Sequence, residues 1–235
     1  MRSSAFKFSK VLVVLILSYG VMQWFASSKQ LCQITFVPIG NFTSTSLQAL
    51  ASYYEQTLGL HIDVRPAIPF EESMMDRSRS QLIGEELVNG MKTGYPTQAQ
   101  DRSVMMVGFT RGDMYIRHKN WQFAFAHRED GRFAAISTAR MDPVSFGLPP
   151  NDGVLVRRLL KMSSKQIGLY FYELPERQEK SSVLYSPILG VDELDEVSMD
   201  FDTIDRGRIE QTAKRCSSSW AQYLLPSWRS REHHK

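Results

Sequence analysis

Histidines are the side chains of this 235-residue chain that first suggest metal or acid–base chemistry. The chain contains five of them, at His61, His118, His127, His233 and His234. No two lie four residues apart, so no helix face can present a pair of zinc ligands. The sequence also has no GxSxG elbow, P-loop, GxGxxG loop or CxxC pair. The residues alone therefore name no standard catalytic machinery.

Two other combinations of residues could support a non-standard site. His118 and His127 lie in neighbouring predicted strands and could act with a nearby carboxylate such as Asp113, although two surface or core histidines are the simpler interpretation. Lys165 and Glu173 lie on one predicted helix, where burial would lower the pKa of the lysine. Both combinations stay open as hypotheses for an enzyme.

The acidic segment at 192–205 carries seven carboxylates and is a third candidate. Asp200, Asp202 and Asp205 could offer oxygen ligands to calcium. Their spacing is not that of an EF-hand loop, so the segment is interpreted as an acidic helix start in solvent.

The stretch at 157–175, RRLLKMSSKQIGLYFYELP, is predicted as the main core helix. Its polar middle is 163–166, which includes Lys165. Apolar residues recur at the three-to-four spacing of one buried helix face, at Leu155, Leu159, Met162, Ile167, Tyr170, Phe171 and Leu174.

The elements before this helix alternate between strands and helices. The patterns predict strands at 33–39 and 60–64 and a helix at 45–58 that ends at Gly59. A second helix is predicted with Leu82, Ile83 and Leu87 facing inward and Gly90 near its end, followed by a loop at 91–102. Further strands are predicted at 104–109, 114–117, 121–126 and 133–138. Together these elements predict one α/β (α+β) domain over residues 31–225, with a mixed twisted sheet, packed helices and a disordered tail at 226–235.

The N-terminus has the pattern of an export signal. Arg2, Lys7 and Lys10 precede an uncharged, mostly apolar run at 11–28, which is nearly long enough to span a bilayer if it is not cleaved. We therefore expect residues 1–28 to be a signal peptide or membrane anchor. The domain would then be extracytoplasmic, either periplasmic or secreted, or held at the inner membrane.

The charge balance argues against a nucleic-acid partner. The net charge of +3 comes from the first 28 residues, and the rest carries 25 basic and 25 acidic residues. Cys32 and Cys216 lie at opposite ends of this part and could pair in an oxidising compartment, a question that sequence leaves open.

Four segments carry a family resemblance. They are ITFVPIG at 34–40, RSQL at 79–82, VMMVGFTRGDMY at 104–115 and FAFAHREDGRFAAISTARM at 123–141. In this order they resemble the first strand, the Arg-x-Gln-Tyr helix, the next strand and turn, and the hairpin of the archaemetzincins, zinc metalloproteases of the metzincin clan. The resemblance implies a metzincin-like fold behind the N-terminal hydrophobic helix.

The same resemblance implies a histidine-glutamate-x-x-histidine motif on the core helix, which this chain lacks. The first histidine, glutamate, second histidine and third histidine fall at Lys165, Gln166, Leu169 and Pro175, and the motif's glycine falls at Tyr172. The methionine turn falls at Leu184. The positions of the family's structural-metal cysteines fall at Glu176, Ser182, Asp202 and Asp205.

These replacements predict that the chain binds no catalytic zinc. Leucine and proline side chains donate nothing to a metal, and lysine is a cation without an acceptor. Gln166 cannot take a proton from water as the glutamate does. We therefore expect no cofactor and no peptide hydrolysis by the metzincin route.

Three functions follow as expectations. The first is a non-catalytic pseudoprotease that binds a peptide or protein in the old substrate groove, and a buried cleft lined by Tyr170 and Tyr172 would distinguish it from the third. The second is an active peptidase or hydrolase that uses one of the non-standard sites above. The third is a purely structural envelope component whose old active helix is only core.

Overall fold

The structure, a computed structural model, describes the backbone of residues 31–224 and side chains as far as residue 216. The predicted signal or anchor at 1–28 and the tail at 226–235 lie outside this range. Among residues 31–224, no helix has both the length and the apolar character needed to cross a bilayer.

The strands form two sheets. In chain order they are β1 (Gln33–Pro38), β2 (Ile62–Val64), β3 (Met75–Asp76), β4 (Gln81–Ile83), β5 (Val104–Thr110), β6 (Met114–Tyr115), β7 (Ala126–Glu129) and β8 (Phe133–Ser137). The larger sheet has the order β2-β1-β5-β8-β7, parallel except for β7, and the smaller sheet has the order β3-β4-β6. The predicted mixed sheet is confirmed.

The helices cover both faces of the larger sheet. They are α1 (Ser44–Leu58), α2 (Gly84–Gly94), α3 (Pro96–Gln100), α4 (Asp152–Gln166), α5 (Val191–Glu196) and α6 (Arg206–Leu224). Tyr54 of α1 packs edge-on against Phe36 of β1 on one face. On the other face, Gly108 of β5 makes room for Met91 of α2, whose sulfur would lie 2.5 Å from an added Cβ. Every residue of β5 is buried, as expected for a strand covered on both faces.

Helix α4, the main core helix of the prediction, begins earlier than expected and ends differently. It begins after Asn151, whose side-chain oxygen accepts a hydrogen bond from the Val154 amide at 3.1 Å. A π-helical turn, Ile167–Phe171, continues it. Residues 158–168 are all buried, so the helix runs through the core rather than across the surface.

Three local predictions were wrong. Leu82 and Ile83 belong to β4, where they pair with Met114 and Tyr115 of β6, and the second helix begins only at Gly84. Residues 91–102 are not one loop, because α2 continues to Gly94 and α3 follows, with its proline at the first helical position. Residues 121–125 form no strand, because side chains rather than a neighbouring strand bond the carbonyl groups of residues 121 and 122.

Candidate functional site

A cleft of about 390 Å³ opens over α4 and is the candidate functional site. Met162, Lys165 and Gln166 form its floor. One side is the segment 120–126 together with Arg128, called here the 120–126 wall. The other side is the segment 186–189.

The 120–126 wall is held by two side chains from the β3–β4 region. Arg79 donates hydrogen bonds from Nη2 to the carbonyl oxygens of Trp121 and Gln122, at 3.2 and 3.0 Å. Gln81 donates from Nε2 to the Gln122 oxygen at 2.8 Å. The Ala124 amide adds a backbone hydrogen bond to the Met114 oxygen at 2.7 Å. The wall therefore has a fixed backbone although residues 120–125 form no strand.

Arg79 and Gln81 are themselves fixed by further contacts. The guanidinium of Arg79 lies 4.1 Å from the centre of the Tyr115 ring and donates from Nε to Oε1 of Gln81 at 2.8 Å. Gln81 donates a hydrogen bond to Oδ2 of Asp113 at 3.0 Å. Arg140 donates to the same carboxylate, from Nε to Oδ1 at 3.1 Å and from Nη2 to Oδ2 at 2.7 Å. Arg79, Gln81, Asp113 and Arg140 thus form one hydrogen-bonded group, called here the brace, in which Asp113 is held by the bidentate pair with Arg140.

The opposite side of the cleft is joined to the floor through Lys165. Its Nζ donates a hydrogen bond to the carbonyl oxygen of Tyr185 at 2.5 Å, next to the first residue of the 186–189 segment. The Ser186 amide donates to the Arg177 oxygen at 2.9 Å, and the Leu189 amide donates to Oε2 of Glu193 at 2.5 Å. Both ends of this side are therefore held.

Gly168 shows how closely the floor helix is packed. A Cβ at this position would lie 2.5 Å from Leu184 Cδ2 and 2.6 Å from Phe201 Cε1. Leu184 is the position that the resemblance aligns with the methionine turn, and here it packs directly against the helix as a hydrocarbon. Any larger residue than glycine would push Leu184 or Phe201 away.

Lys165 is an unusually buried charged residue, because only 6% of its surface is exposed. Burial lowers the pKa of its amine from the ordinary value to about 8, with Glu176 opposing and Arg128 adding to the decrease. The amine still carries a proton at neutral pH. It places a cation in the floor of the cleft.

Gln166 adjoins Lys165 and is only 2% exposed. Its Nε2 atom lies 3.5 Å from the sulfur of Met162, a weak acceptor. Its Oε1 atom has no hydrogen-bond partner among the described residues. A buried amide oxygen of this kind costs stability unless a donor reaches it.

The positions aligned with the structural-metal cysteines now contain an ion-pair cluster. Arg177 contacts Oδ1 of Asp205 through Nη2 at 2.5 Å and Oδ2 of Asp202 through Nε at 3.3 Å. Ser182 is fully buried, and its hydroxyl accepts a hydrogen bond from the Leu184 amide at 3.2 Å. Glu176 instead pairs with Arg128 at 3.0 Å. In the described part of the chain, no group of three or more histidine, cysteine, aspartate or glutamate side chains could hold a metal ion.

The remaining predicted site residues do not meet in one site. Tyr172 is 1% exposed and packs on Phe171 and Phe201 in the core, and neither it nor Tyr170 lines the cleft. The cleft over α4 is therefore not the tyrosine-lined cleft that would distinguish a peptide-binding module from a structural one. Of the other two family positions, Leu169 is half-buried and Pro175 is exposed.

The two hypothetical catalytic combinations are also separated. His118 is exposed, whereas His127 is buried with its Nε2 atom 3.6 Å from Glu129. Asp113 is occupied by Arg140 and Gln81 as described above. Glu173 is exposed, and the carboxylate that acts on Lys165 is that of Glu176.

Two features lie away from the cleft. Cys32 and Cys216 form a disulfide, with Cα atoms 5.2 Å apart, that joins the start of β1 to α6. A cavity of about 590 Å³ lies by the amino ends of β1 and β5, and it is also lined by Asp63 of β2 and by Arg65, which follows this strand. These two side chains form an ion pair at 2.7 Å, and the carboxylates of Glu55 and Asp101 also line the cavity.

Comparisons with known proteins agree with this fold. No family model matches the chain. The archaemetzincin of Methanocaldococcus jannaschii is 29% identical over 136 residues, which cover 58% of this chain and 70% of the relative. A zinc-dependent peptidase from Methanocorpusculum labreanum has a similar structure, with a TM-score of 0.63, 16% identity and coverage of 75% of this chain and 99% of its own. The archaemetzincin of Methanopyrus kandleri gives a TM-score of 0.61 at 18% identity, covering 81% of this chain and 99% of its own. In sequence and in fold, this chain is archaemetzincin-like.

Proposed function

We propose that this protein is an exported, non-catalytic archaemetzincin-like module that binds a peptide segment in the cleft over α4. The observation that best supports this is the composition of the cleft. Its two sides are fixed by hydrogen bonds, and its floor presents Lys165 and Gln166 at the positions where the resemblance places a histidine and the catalytic glutamate. The module therefore binds without hydrolysing.

The floor residues do not suit a catalytic zinc ion. A zinc site needs neutral or anionic donors, whereas the Lys165 amine is protonated at neutral pH and already donates to the Tyr185 oxygen. Leu169 and Pro175 have no donor atoms. Gln166 could offer only a single amide oxygen. We therefore propose that neither the metal nor metal-assisted hydrolysis belongs to this chain.

A peptide is the ligand class that best suits the cleft. One structural neighbour is described as a zinc-dependent peptidase, and peptidases take peptides as ligands. The rim of the cleft presents Trp121 and Leu189, which are 50% and 66% exposed. Large apolar side chains at the edge of a pocket with a few polar groups are typical of recognition surfaces.

An extracytoplasmic location is part of the proposal. It is supported by the export pattern at 1–28 and by the Cys32–Cys216 disulfide, because such bonds persist in oxidising compartments. A thiol-blocking gel-shift assay on fractionated cells tests it. The expected result is two thiols that react only after reduction, in a fraction outside the cytoplasm, and free thiols in the cytoplasmic fraction would contradict it.

The test of binding is a selection with a display library of short random peptides, against full-length protein purified in mild detergent without a histidine tag. We expect enriched sequences that the double variant Trp121→Ala/Leu189→Ala no longer binds. The matched control is Phe146→Ala/Leu148→Ala, which removes side chains of 48% and 57% exposure that do not line the cleft. Absence of enrichment, or equal loss in both variants, would favour the purely structural module.

Metal content is measured on the same preparation after it has been offered Zn²⁺ and then desalted. We expect well under one equivalent of zinc per chain. One tightly held equivalent, together with cleavage of an enriched peptide, would overturn the non-catalytic proposal and revive the hypothesis of a non-standard active site.

A further inference from the structure

We infer that the peptide carries a carboxylate into the cleft, either its C-terminal carboxylate or an acidic side chain, and that Lys165 receives it while Gln166 accepts a neighbouring N–H group. This inference rests on the proposed peptide binding and specifies its ligand. It follows from the charge, the unsatisfied acceptor and the apolar rim of the cleft.

The charge of the cleft has one sign. Of the described residues that line it, the two charged ones are Lys165 and Arg128, both cationic. Arg128 is balanced by Glu176 at 3.0 Å, which leaves the charge of Lys165 without a full counter-ion. An incoming carboxylate would supply this counter-ion in a site where water screens poorly.

Lys165 has donors available for such a ligand. An ammonium group has three N–H donors, and the structure uses one of them on the Tyr185 oxygen. That hydrogen bond also fixes the direction of the amine, so little side-chain entropy would be lost on binding. The lysine is thus positioned in advance for an anion.

Gln166 independently indicates a ligand with an N–H group. Gln166 lines the cleft floor, and its buried amide oxygen has no hydrogen-bond partner among the described residues. A backbone amide of a peptide is a donor of the required kind. A peptide residue that carries a carboxylate has this amide close by, so adjacent groups of one ligand can satisfy Lys165 and Gln166 together.

The experiment uses the most enriched peptide from the display selection in three synthetic forms. These are the free acid, the C-terminal amide, and a form in which internal Asp and Glu are replaced by Asn and Gln. Each form is titrated against the full-length wild type, Lys165→Met and Lys161→Met by fluorescence polarisation. Lys161 is the matched control because it is a buried lysine of the same helix, which donates to the Leu194 and Asp195 oxygens at 2.9 and 2.6 Å and does not line the cleft.

We expect one of the two neutralised forms to bind the wild type about tenfold more weakly, the usual effect of losing a charge-assisted hydrogen bond. The form that weakens identifies the source of the carboxylate. The difference should vanish in Lys165→Met and persist in Lys161→Met. Equal binding of all three forms to the wild type would overturn this inference and leave the proposed function intact, whereas failure of every peptide to bind would remove both. The wild-type comparison decides the matter even if Lys165→Met does not fold.

Discussion

The Nζ atom of Lys165 donates a hydrogen bond to the carbonyl oxygen of Tyr185 across 2.5 Å. This contact joins the floor of the cleft to its 186–189 side and holds a charge in a place that is 6% exposed. It also sets the direction of the amine toward any ligand.

The stability of the wild type should rise, relative to Lys165→Met, as the pH increases from about 8 to 10. The pKa of Lys165 is lowered to about 8 in the folded protein, whereas the unfolded chain keeps the ordinary value, so the unfolded state binds more protons in this window. The gain is at most about 3 kcal/mol, from the size of the shift. Urea denaturation of both proteins across this pH range measures it, and parallel stability curves would contradict it.

Binding of the carboxylate peptide should weaken as the pH rises through about 8. The ammonium of Lys165 loses its proton there, while, despite partial burial, the pKa of Glu176 is held below its ordinary value by its hydrogen bond to Arg128, so the cleft loses its unbalanced positive charge. The neutralised form of the same peptide is the control and should bind equally at pH 7 and pH 9. Titration by fluorescence polarisation at both pH values measures the change, and a similar loss for both forms would show that Lys165 is not responsible.

Replacing Arg79 by Met should weaken peptide binding by about tenfold, because the loss of hydrogen bonds to the Trp121 and Gln122 oxygens loosens the 120–126 wall. Hydrogen exchange should become faster in residues 120–125. The control Arg77→Met removes a nearby arginine whose exposed side chain pairs with Glu72. If the control weakens binding as much as Arg79→Met, the brace is not the cause.

Replacing Arg177 by Met should lower the free energy of unfolding by about 3 kcal/mol, because Asp205 would remain buried without its cation. Arg77→Met should cost under about 0.5 kcal/mol, since its pair is exposed. The double variant Arg177→Met/Asp205→Leu should recover much of the loss. Denaturant titrations measure all three variants. An equal loss in the free energy of unfolding for Arg177→Met and Arg77→Met would show that the buried ion-pair cluster does not stabilise the fold.

Reduction of the Cys32–Cys216 disulfide should lower the stability by about 2–4 kcal/mol, the usual range for a native disulfide. The bond closes a loop with a sequence separation of 184, which restricts the unfolded chain strongly. Thermal denaturation of the oxidised protein, the reduced protein and Cys32→Ser/Cys216→Ser measures the effect. The double variant should behave like the reduced protein and should not respond to the reductant.

The sequence alone identified the strands at the centre of the fold. Short strand patterns, with turn signals beside them, predicted β1, β5 and β8 to within about a residue or two of their observed ends. It also determined that no histidine exists between His127 and His233 for the core helix to present. Both conclusions depend on residue types alone, so no spatial information was required.

The construction of the cleft depends on contacts between residues that are far apart in the sequence. The pairing of Leu82 with Met114 made a strand of residues predicted as helix, and Arg79 fixed the backbone at Trp121, which no local pattern indicates. Tyr172, which follows the π-helical turn, packs against Phe171 and Phe201 in the core and does not line the cleft. Each outcome depends on partners many residues away in sequence, and hydrogen bonding and packing between such partners override local propensity.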